Sequence, residues 1–243
     1  MRVTFLGTSH GIPEPHRHCS CIMLEVGENR YFIDAGTSPY DGLKARGISP
    51  DSVKAIFITH MHGDHTNGLV SFVDLSCWAL KATRYTVYLP EVSACEVIKS
   101  WVSAVHDTYR PEIAFAPVSE GLVYDDGIIK VTAMKTGHIP NAYAYIIEAE
   151  GKRLLFSGDM KHGDGPISDF ARFLETGTFD LAVGECAHFP AELYTEPLRK
   201  NPPKRFVITH YSSRFTESVY RFKALMANEL NVIIANDDME ISL

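Results

Sequence analysis

A turn rich in metal-binding side chains is the feature that most restricts this chain. Residues 59–65 read Thr-His-Met-His-Gly-Asp-His. The run before them, Val53–Thr59, is β-branched and aromatic, which predicts a strand, and apolar residues recur at helical spacing over Asn67–Leu80. Imidazoles and carboxylates in such a strand-to-helix turn favour zinc, iron or manganese. His60 and His62 can converge on one ion, and Asp64 and His65 can serve a second ion.

Three later strands each deliver a further metal-binding side chain at their end. The strand from Ile129 runs to His138, the strand from Arg153 runs to Asp159, and the strand from Lys204 runs to His210. A single histidine at a strand end is more often structural. With the first turn, however, the chain supplies five histidines and two aspartates, which is enough for two ions that share one carboxylate.

The order of predicted elements indicates the fold class. Strands outnumber helices, and each half of the chain runs through strands before helix–strand units. The pattern predicts an α+β protein, an αββα sandwich in which two mixed β-sheets pack face to face with helices on the outside. Residues 1–243 are expected to form one domain, with the site where loops of the two halves meet. The closing strand is predicted at Val232–Ala235.

The composition restricts the binding partners and the cellular compartment that can be expected. The formal net charge is −7, so the chain lacks the basic field that holds long nucleic acid; a small anionic substrate is still allowed. The five scattered cysteines argue against disulfides and for a reducing cytoplasm. No signal peptide and no apolar run of about 20 residues is seen, so no membrane partner is expected. The open alternative to a monomer is a homodimer.

The complete set of strand-end ligands resembles the metallo-β-lactamase superfamily, whose motif is His-x-His-x-Asp-His followed by separate His, Asp and His ligands. The likeness covers essentially the whole chain. It implies two divalent metal ions, with zinc favoured over manganese and iron. The first ion would be held by His60, His62 and His138, and the second by Asp64, His65 and His210, with Asp159 bridging both. It also implies hydrolysis by a hydroxide that bridges the ions.

The N-terminal stretch narrows the resemblance. Phe5–Ser9, Pro13, Arg17 and Asp34–Gly36 are similar to the tRNA 3′-processing endonucleases and their phosphodiesterase relatives. The tRNA enzymes hold tRNA with a protruding arm, whereas here only a hairpin separates His138 from Asp159. The closer likeness is to the phosphonate-pathway cyclic phosphodiesterase.

The resemblance to that phosphodiesterase implies one further site residue, and the sequence departs from it at one point. Gly184–His188 falls where the enzyme carries a catalytic histidine. His188, with Asp64, is therefore the expected catalytic set. The enzyme's Cys-rich insertion for a structural zinc is missing, and Cys19 and Cys21 are interpreted as packing residues.

These features predict a phosphodiesterase that acts on a small phosphodiester, with cyclic ones included. One alternative is a hydrolase of carboxylic esters, thioesters or lactones on the same metal centre. An alternative of another class is a metal-binding protein that is not an enzyme. Asp34 is expected to hydrogen-bond a ligating histidine. The remaining candidates near the site are His10, His16, His18 and His162, with Arg17 as a phosphate contact.

Overall fold

The computed structural model describes residues 1–12, 14–80, 82–106, 112–160 and 166–243, apart from the side chain of Pro166. The first half forms strands β1 (Arg2–Gly7), β2 (Cys21–Val26), β3 (Asn29–Ile33), β4 (Val53–Phe57), β5 (Tyr85–Leu89) and β6 (Ile113–Pro117), and helices α1 (Pro39–Ala45), α2 (Gly63–Trp78) and α3 (Ser93–His106). The second half forms β7 (Gly121–Asp125), β8 (Ile129–Lys135), β9 (Tyr143–Ala149), β10 (Lys152–Phe156), β11 (Leu181–Cys186), β12 (Arg205–Tyr211), β13 (Asn231–Ile234) and β14 (Met239–Ser242), and helices α4 (Pro166–Leu174), α5 (Thr195–Lys200) and α6 (Thr216–Met226).

The strands form two mixed sheets with matching layouts. Among the described residues, one sheet has the order β14-β1-β2-β3-β4-β5-β6 and the other has β13-β12-β11-β10-β9-β8-β7. The strands at one end of each sheet pair antiparallel. At the other end they pair parallel, over β3 to β6 in the first sheet and over β10 to β13 in the second. Ligands gather at the carboxyl ends of parallel strands, which explains why predicted ligands come after β4 and β10 and at the end of β12.

Three apolar clusters build the layers. The central cluster draws from both sheets, as in the contact between Phe57 of β4 and Tyr145 of β9, whose ring centroids are 5.7 Å apart. The outer face of the first sheet is covered by α2, where Phe72 stacks on Tyr85. The outer face of the second sheet is covered by α6 through Phe222. The predicted αββα sandwich is therefore confirmed.

A carboxylate at the β7–β8 turn ties the two sheets together. Asp126 accepts hydrogen bonds from the Tyr31 hydroxyl of β3 at 2.6 Å and from the Tyr124 hydroxyl at 2.9 Å. It also accepts the backbone N–H groups of Ile128 and Ile129. Burial raises the pKa of Asp126, but these donors outweigh that effect and lower the pKa below its usual value.

Two elements differ from the expectation. The strand β14 was not predicted; it pairs antiparallel with β1 at the sheet edge and buries Ile241. Helix α2 begins at Gly63 rather than at Asn67, so Asp64 and His65 lie in its first turn. The exposed backbone N–H groups of that turn favour an acidic side chain such as Asp64. No helix in the described ranges is long and apolar enough to cross a bilayer.

Candidate metal centre and active site

The first group of candidate ligands gathers beyond strand β4. His60 and His62 leave the strand together, and the β8–β9 connection brings in His138. The Nδ1 atom of His62 lies 3.0 Å from His60 Nε2 and 3.2 Å from His138 Nε2. These three histidines and Asp159 point their ligand atoms at one small volume, within 4.8 Å of one another. This is the set that the sequence assigned to the first ion.

The second group forms at the start of helix α2. Asp64 Oδ2 lies 3.5 Å from His65 Nε2 and 3.6 Å from His210 Nε2. His210 is a buried residue near the end of β12. The three side chains present their ligand atoms to one another, so the structure also brings together the residues assigned to the second ion.

Asp159 lies between the two groups and faces each with a different oxygen. Its Oδ1 is 3.5 Å from His65 Nε2 and 3.3 Å from His210 Nε2. Its Oδ2 is 3.7 Å from His60 Nε2 and 3.8 Å from His138 Nε2. A carboxylate placed in this way can bridge two cations.

The polar atoms of the site fit a pair of cations. His65 Nε2 and Asp159 Oδ1 are buried and have no hydrogen-bond partner among the described residues, and uncompensated burial of such atoms is costly. Burial lowers the pKa of His60 to about 2 and of His138 to about 4. Both imidazoles are therefore neutral at pH 7 and keep a nitrogen lone pair for a metal. Imidazole and carboxylate donors suit zinc, manganese and iron.

Asp34 fixes the orientation of His65, as predicted. Its Oδ2 lies 2.7 Å from His65 Nδ1, and its Oδ1 accepts the backbone N–H of Thr59 at 2.8 Å. Burial lowers the pKa of His65, but the charges of Asp34 and Asp159 outweigh that effect and raise it. The turn after Asp34 needs Gly36, because an added Cβ would lie 1.8 Å from the Asp64 backbone oxygen.

His188 lies at the rim of the centre, and Glu185 holds it there. The Glu185 Oε1 atom is 2.9 Å from His188 Nδ1, and Oε2 accepts the backbone N–H groups of Ala187 and His188. The rings of His188 and His138 are 4.8 Å apart. Burial lowers the pKa of His188, but its hydrogen bond to Glu185 and the Glu185 charge raise it to about 9. Sequence analysis missed Glu185, although a buried carboxylate at the end of an apolar strand is a signal for such a role.

The loop between β1 and β2 differs from the expectation. Arg17 is not free to contact a phosphate, because it donates to the Thr8 and Tyr211 carbonyl oxygens. His10 bonds Glu14, and His18 bonds Asp237. His16 is exposed in a left-handed conformation. His162 and Pro13 lie outside the described residues.

Sequence comparisons identify a matching family and two related ribonucleases. Residues 1–221 match the family model described as "Anti-Pycsar protein Apyc1". Ribonuclease BN of Cronobacter sakazakii is 31% identical, with 89% of this chain and 90% of the relative covered. Ribonuclease Z of Bacillus subtilis is 32% identical over 74% of this chain, and the chain spans 61% of that relative's length.

Solved structures agree on the fold. The metallo-β-lactamase fold protein YhfI of Bacillus subtilis superposes with a TM-score of 0.80 at 17% identity, over 99% of this chain and 98% of that chain. The short form of human tRNase Z superposes with a TM-score of 0.76 at 22% identity, over 100% and 99%. A diphosphatase from the PhnP family superposes with a TM-score of 0.68 at 19% identity, over 100% of this chain and 97% of that chain. The chain thus belongs to the family described as Anti-Pycsar protein Apyc1, and it is a hydrolase of the metallo-β-lactamase fold.

Proposed function

We propose that the chain is a phosphodiesterase that cleaves small phosphodiesters, cyclic ones included, on a centre of two divalent metal ions. The observation that supports this best is Asp159, which turns one oxygen toward each ligand group while His188 stands beside it. The ribonuclease names of the relatives also point to phosphodiester chemistry. Cytoplasmic location remains a prediction, supported by the five scattered cysteines of the sequence.

The site residues divide into ligands and catalytic groups. Divalent ions, with zinc favoured, would neutralise charge on the phosphoryl oxygens and lower the pKa of water. The proposed ligands are His60, His62, His138, Asp64, His65, His210 and Asp159. Asp64 also has the proposed role of accepting a proton from the attacking water.

The hydrolysis needs a proton for the leaving group. The water oxygen forms a bond to phosphorus, and the bond from phosphorus to the leaving oxygen breaks. His188 then gives the proton on Nε2 to that oxygen, so a linear diester yields a phosphomonoester and an alcohol, and a cyclic diester yields one phosphomonoester that carries the freed hydroxyl. Glu185, bonded to Nδ1 at 2.9 Å, favours the protonated ring before the transfer and helps recover the proton from solvent.

The space next to His188 suits a small leaving group. A cavity of about 470 Å³, lined by His188, Pro190, Arg214 and Phe215, opens there. This volume is within the range of pockets that hold small ligands. The alignment with the Cronobacter ribonuclease runs over 276 residues, which exceeds the 243 residues of this chain, so that relative carries insertions that this chain lacks. RNA is nevertheless the competing substrate, since the relatives are named as ribonucleases and do not support the expected lack of a nucleic-acid partner.

A panel of substrates tests the proposal. Metal-loaded protein is assayed with bis-p-nitrophenyl phosphate, 3′,5′-cyclic nucleotides, ribose cyclic phosphates, a precursor tRNA, lactones and thioesters. We expect kcat/KM to be highest for a small phosphodiester. Equal or faster cleavage of precursor tRNA would refute the size preference, and preference for a lactone or thioester would refute the phosphodiesterase assignment.

A further inference from the structure

The His210 ring lacks the hydrogen bond at Nδ1 that orients two other candidate ligands, His65 and His60. His65 Nδ1 is bonded to Asp34 at 2.7 Å, and His60 Nδ1 lies 3.1 Å from the Thr59 hydroxyl. Among the described residues, no group forms a hydrogen bond with the buried His210 Nδ1. Ligating histidines are normally oriented through that second nitrogen. The position of the His210 ring must therefore come from its backbone.

The backbone at His210 needs support. Its φ angle is +47°, a left-handed conformation that a residue with a side chain adopts only when its surroundings impose it. The register with β11 also shifts here, between Glu185 and Cys186. What holds Tyr211, the next residue, therefore controls where His210 points.

Arg17 contacts Tyr211 through both its carbonyl oxygen and its ring. Its Nη1 donates to the Tyr211 carbonyl oxygen at 3.0 Å, and its guanidinium lies 3.8 Å from the centroid of the Tyr211 ring. The rest of the guanidinium is fixed by Thr8, whose carbonyl and hydroxyl oxygens accept from Nη2 and Nε. Asp237 anchors Thr8 in turn, by accepting its backbone N–H and its hydroxyl. The guanidinium thus links the end of β1 to the end of β12.

We propose that Arg17 is a positioning residue that sets the affinity of the second ion by fixing the backbone at His210. This inference rests on the proposed metal centre. It assigns Arg17 no contact with substrate or ion. Removing Arg17 should loosen the Tyr211 carbonyl and ring together, so His210 would move relative to Asp64 and His65. The group of His60, His62 and His138 should be unaffected, because Arg17 contacts none of these three residues.

Stepwise zinc binding tests this. Metal-free protein is titrated with Zn²⁺ in competition with a chromophoric chelator, and the two binding steps are resolved. His210→Ala identifies the step that depends on the second group, and His62→Ala identifies the other. Arg17→Ala should weaken the His210-dependent step by roughly 10- to 100-fold and leave the other step within about twofold. Arg17→Lys should restore little, because an ammonium cannot replace a planar fork that bonds three oxygens and stacks on a ring.

A matched arginine separates positioning from general stability. Arg30 is also half-buried and donates to two backbone carbonyl oxygens, those of Gly27 and Asn29, but it lies at the opposite end of β3 from Asp34. Arg30→Ala should lower the melting temperature and leave both zinc steps unchanged. Unaltered zinc steps in both Arg17 variants, or equal weakening of the two steps, would overturn the inference while leaving the proposed function intact. Wild-type protein that binds no zinc would overturn both.

Discussion

At the scale of single residues, His188 is the side chain that best separates phosphodiester hydrolysis from its alternatives. His188→Ala should keep its metal content and lose turnover by ~10²–10⁴-fold, which is ~3–5 kcal/mol at ~1.4 kcal/mol per decade. The loss should be largest for an unactivated alkyl diester and small for bis-p-nitrophenyl phosphate, because p-nitrophenolate leaves without a proton. Steady-state rates on the two substrates, with metal analysis of the same samples, measure this.

Glu185→Gln is the companion variant. It keeps the size of the side chain and removes the charge that raises the pKa of His188. Turnover by Glu185→Gln should decrease less than turnover by His188→Ala, with the same dependence on the leaving group. A well-folded, fully metallated His188→Ala that is equally impaired on both substrates would exclude the acid role.

Asp159 is predicted to be the residue on which both ions depend. Asp159→Asn should lower metal content well below that of wild type and abolish hydrolysis, because an amide cannot offer two anionic oxygens to the two ligand groups. Elemental analysis of protein purified without chelator measures the metal. The control is Asp180→Asn, a carboxylate that pairs with Lys204 away from the centre. Full activity in Asp159→Asn would contradict the assignment.

The sequence allowed candidate ligands to be predicted, but not the residues that support them. Imidazoles and carboxylates in a strand-to-helix turn favour a metal ion, so His60 to His65 could be proposed as ligands without coordinates. Arg17 was misassigned because its partners, Thr8 and Tyr211, are 9 and 194 residues away along the chain. Glu185 was missed for a similar reason, since only the folded chain shows that it bonds the His188 ring.

At the scale of elements, the bond between β3 and the β7–β8 turn gives a prediction about acid stability. The folded pKa of Asp126 is below its usual value, so its contribution is present above the unfolded pKa of about 4 and is lost as the pH falls through the folded pKa. Asp126→Asn should therefore be less stable than wild type at pH 7 by about 1 kcal/mol. The difference in stability between the two proteins should become smaller below about pH 4.

Urea unfolding at a series of pH values measures that difference. Asp125 provides the control, because it is adjacent and bonds only the backbone N–H of Gly127. Asp125→Asn should change stability less at every pH. A destabilisation by Asp126→Asn that does not vary with pH would show that the charge is unimportant.

The exposed face of α3 offers a place for the homodimer that the sequence left open. Val97, Trp101 and Val105 repeat every four residues and are 70%, 61% and 55% exposed, and Trp78 of α2 is 51% exposed. Exposed apolar patches of this kind mark protein contacts. We predict that wild-type protein has the mass of two chains in light scattering and that Trp101→Glu has the mass of one.

A surface aromatic on another face serves as the control for the dimer. Tyr220 of α6 is 58% exposed, and Tyr220→Glu should keep the mass of two chains. Wild-type protein that has the mass of one chain at all concentrations would exclude the homodimer.

Element boundaries show where sequence patterns stop being informative. β4 begins at Val53 as predicted, because its β-branched and aromatic run starts at that residue. β14 buries only Ile241 among its four residues, so no apolar run marks it in the sequence, and it pairs with β1 at the edge of the sheet. The start of α2 was placed late because its first turn carries ligands rather than apolar residues.

At the scale of the whole molecule, the centre joins the two sheets. His60, His62, Asp64 and His65 come after a strand of the first sheet, whereas the second sheet supplies His138 and Asp159 beyond its strands and His210 near the end of β12. Ions that bind only this folded arrangement should stabilise the chain by about 2.7 kcal/mol at 100 times the dissociation constant. Removal of metal with EDTA should therefore lower the melting temperature of wild-type protein, whereas Asp159→Asn should show little change. Equal effects of EDTA on both proteins would contradict this.

The spread of the ligands along the chain also bears on synthesis in the cell. The set begins at His60 and is complete only at His210, after β12 has paired with β11. A chain still emerging from the ribosome carries the turn of the first group early, whereas Asp159 and His210 of the proposed set follow only late in translation. Capture of both proposed ions is therefore expected to be a late event, and we expect a prematurely terminated chain to be hydrolytically silent.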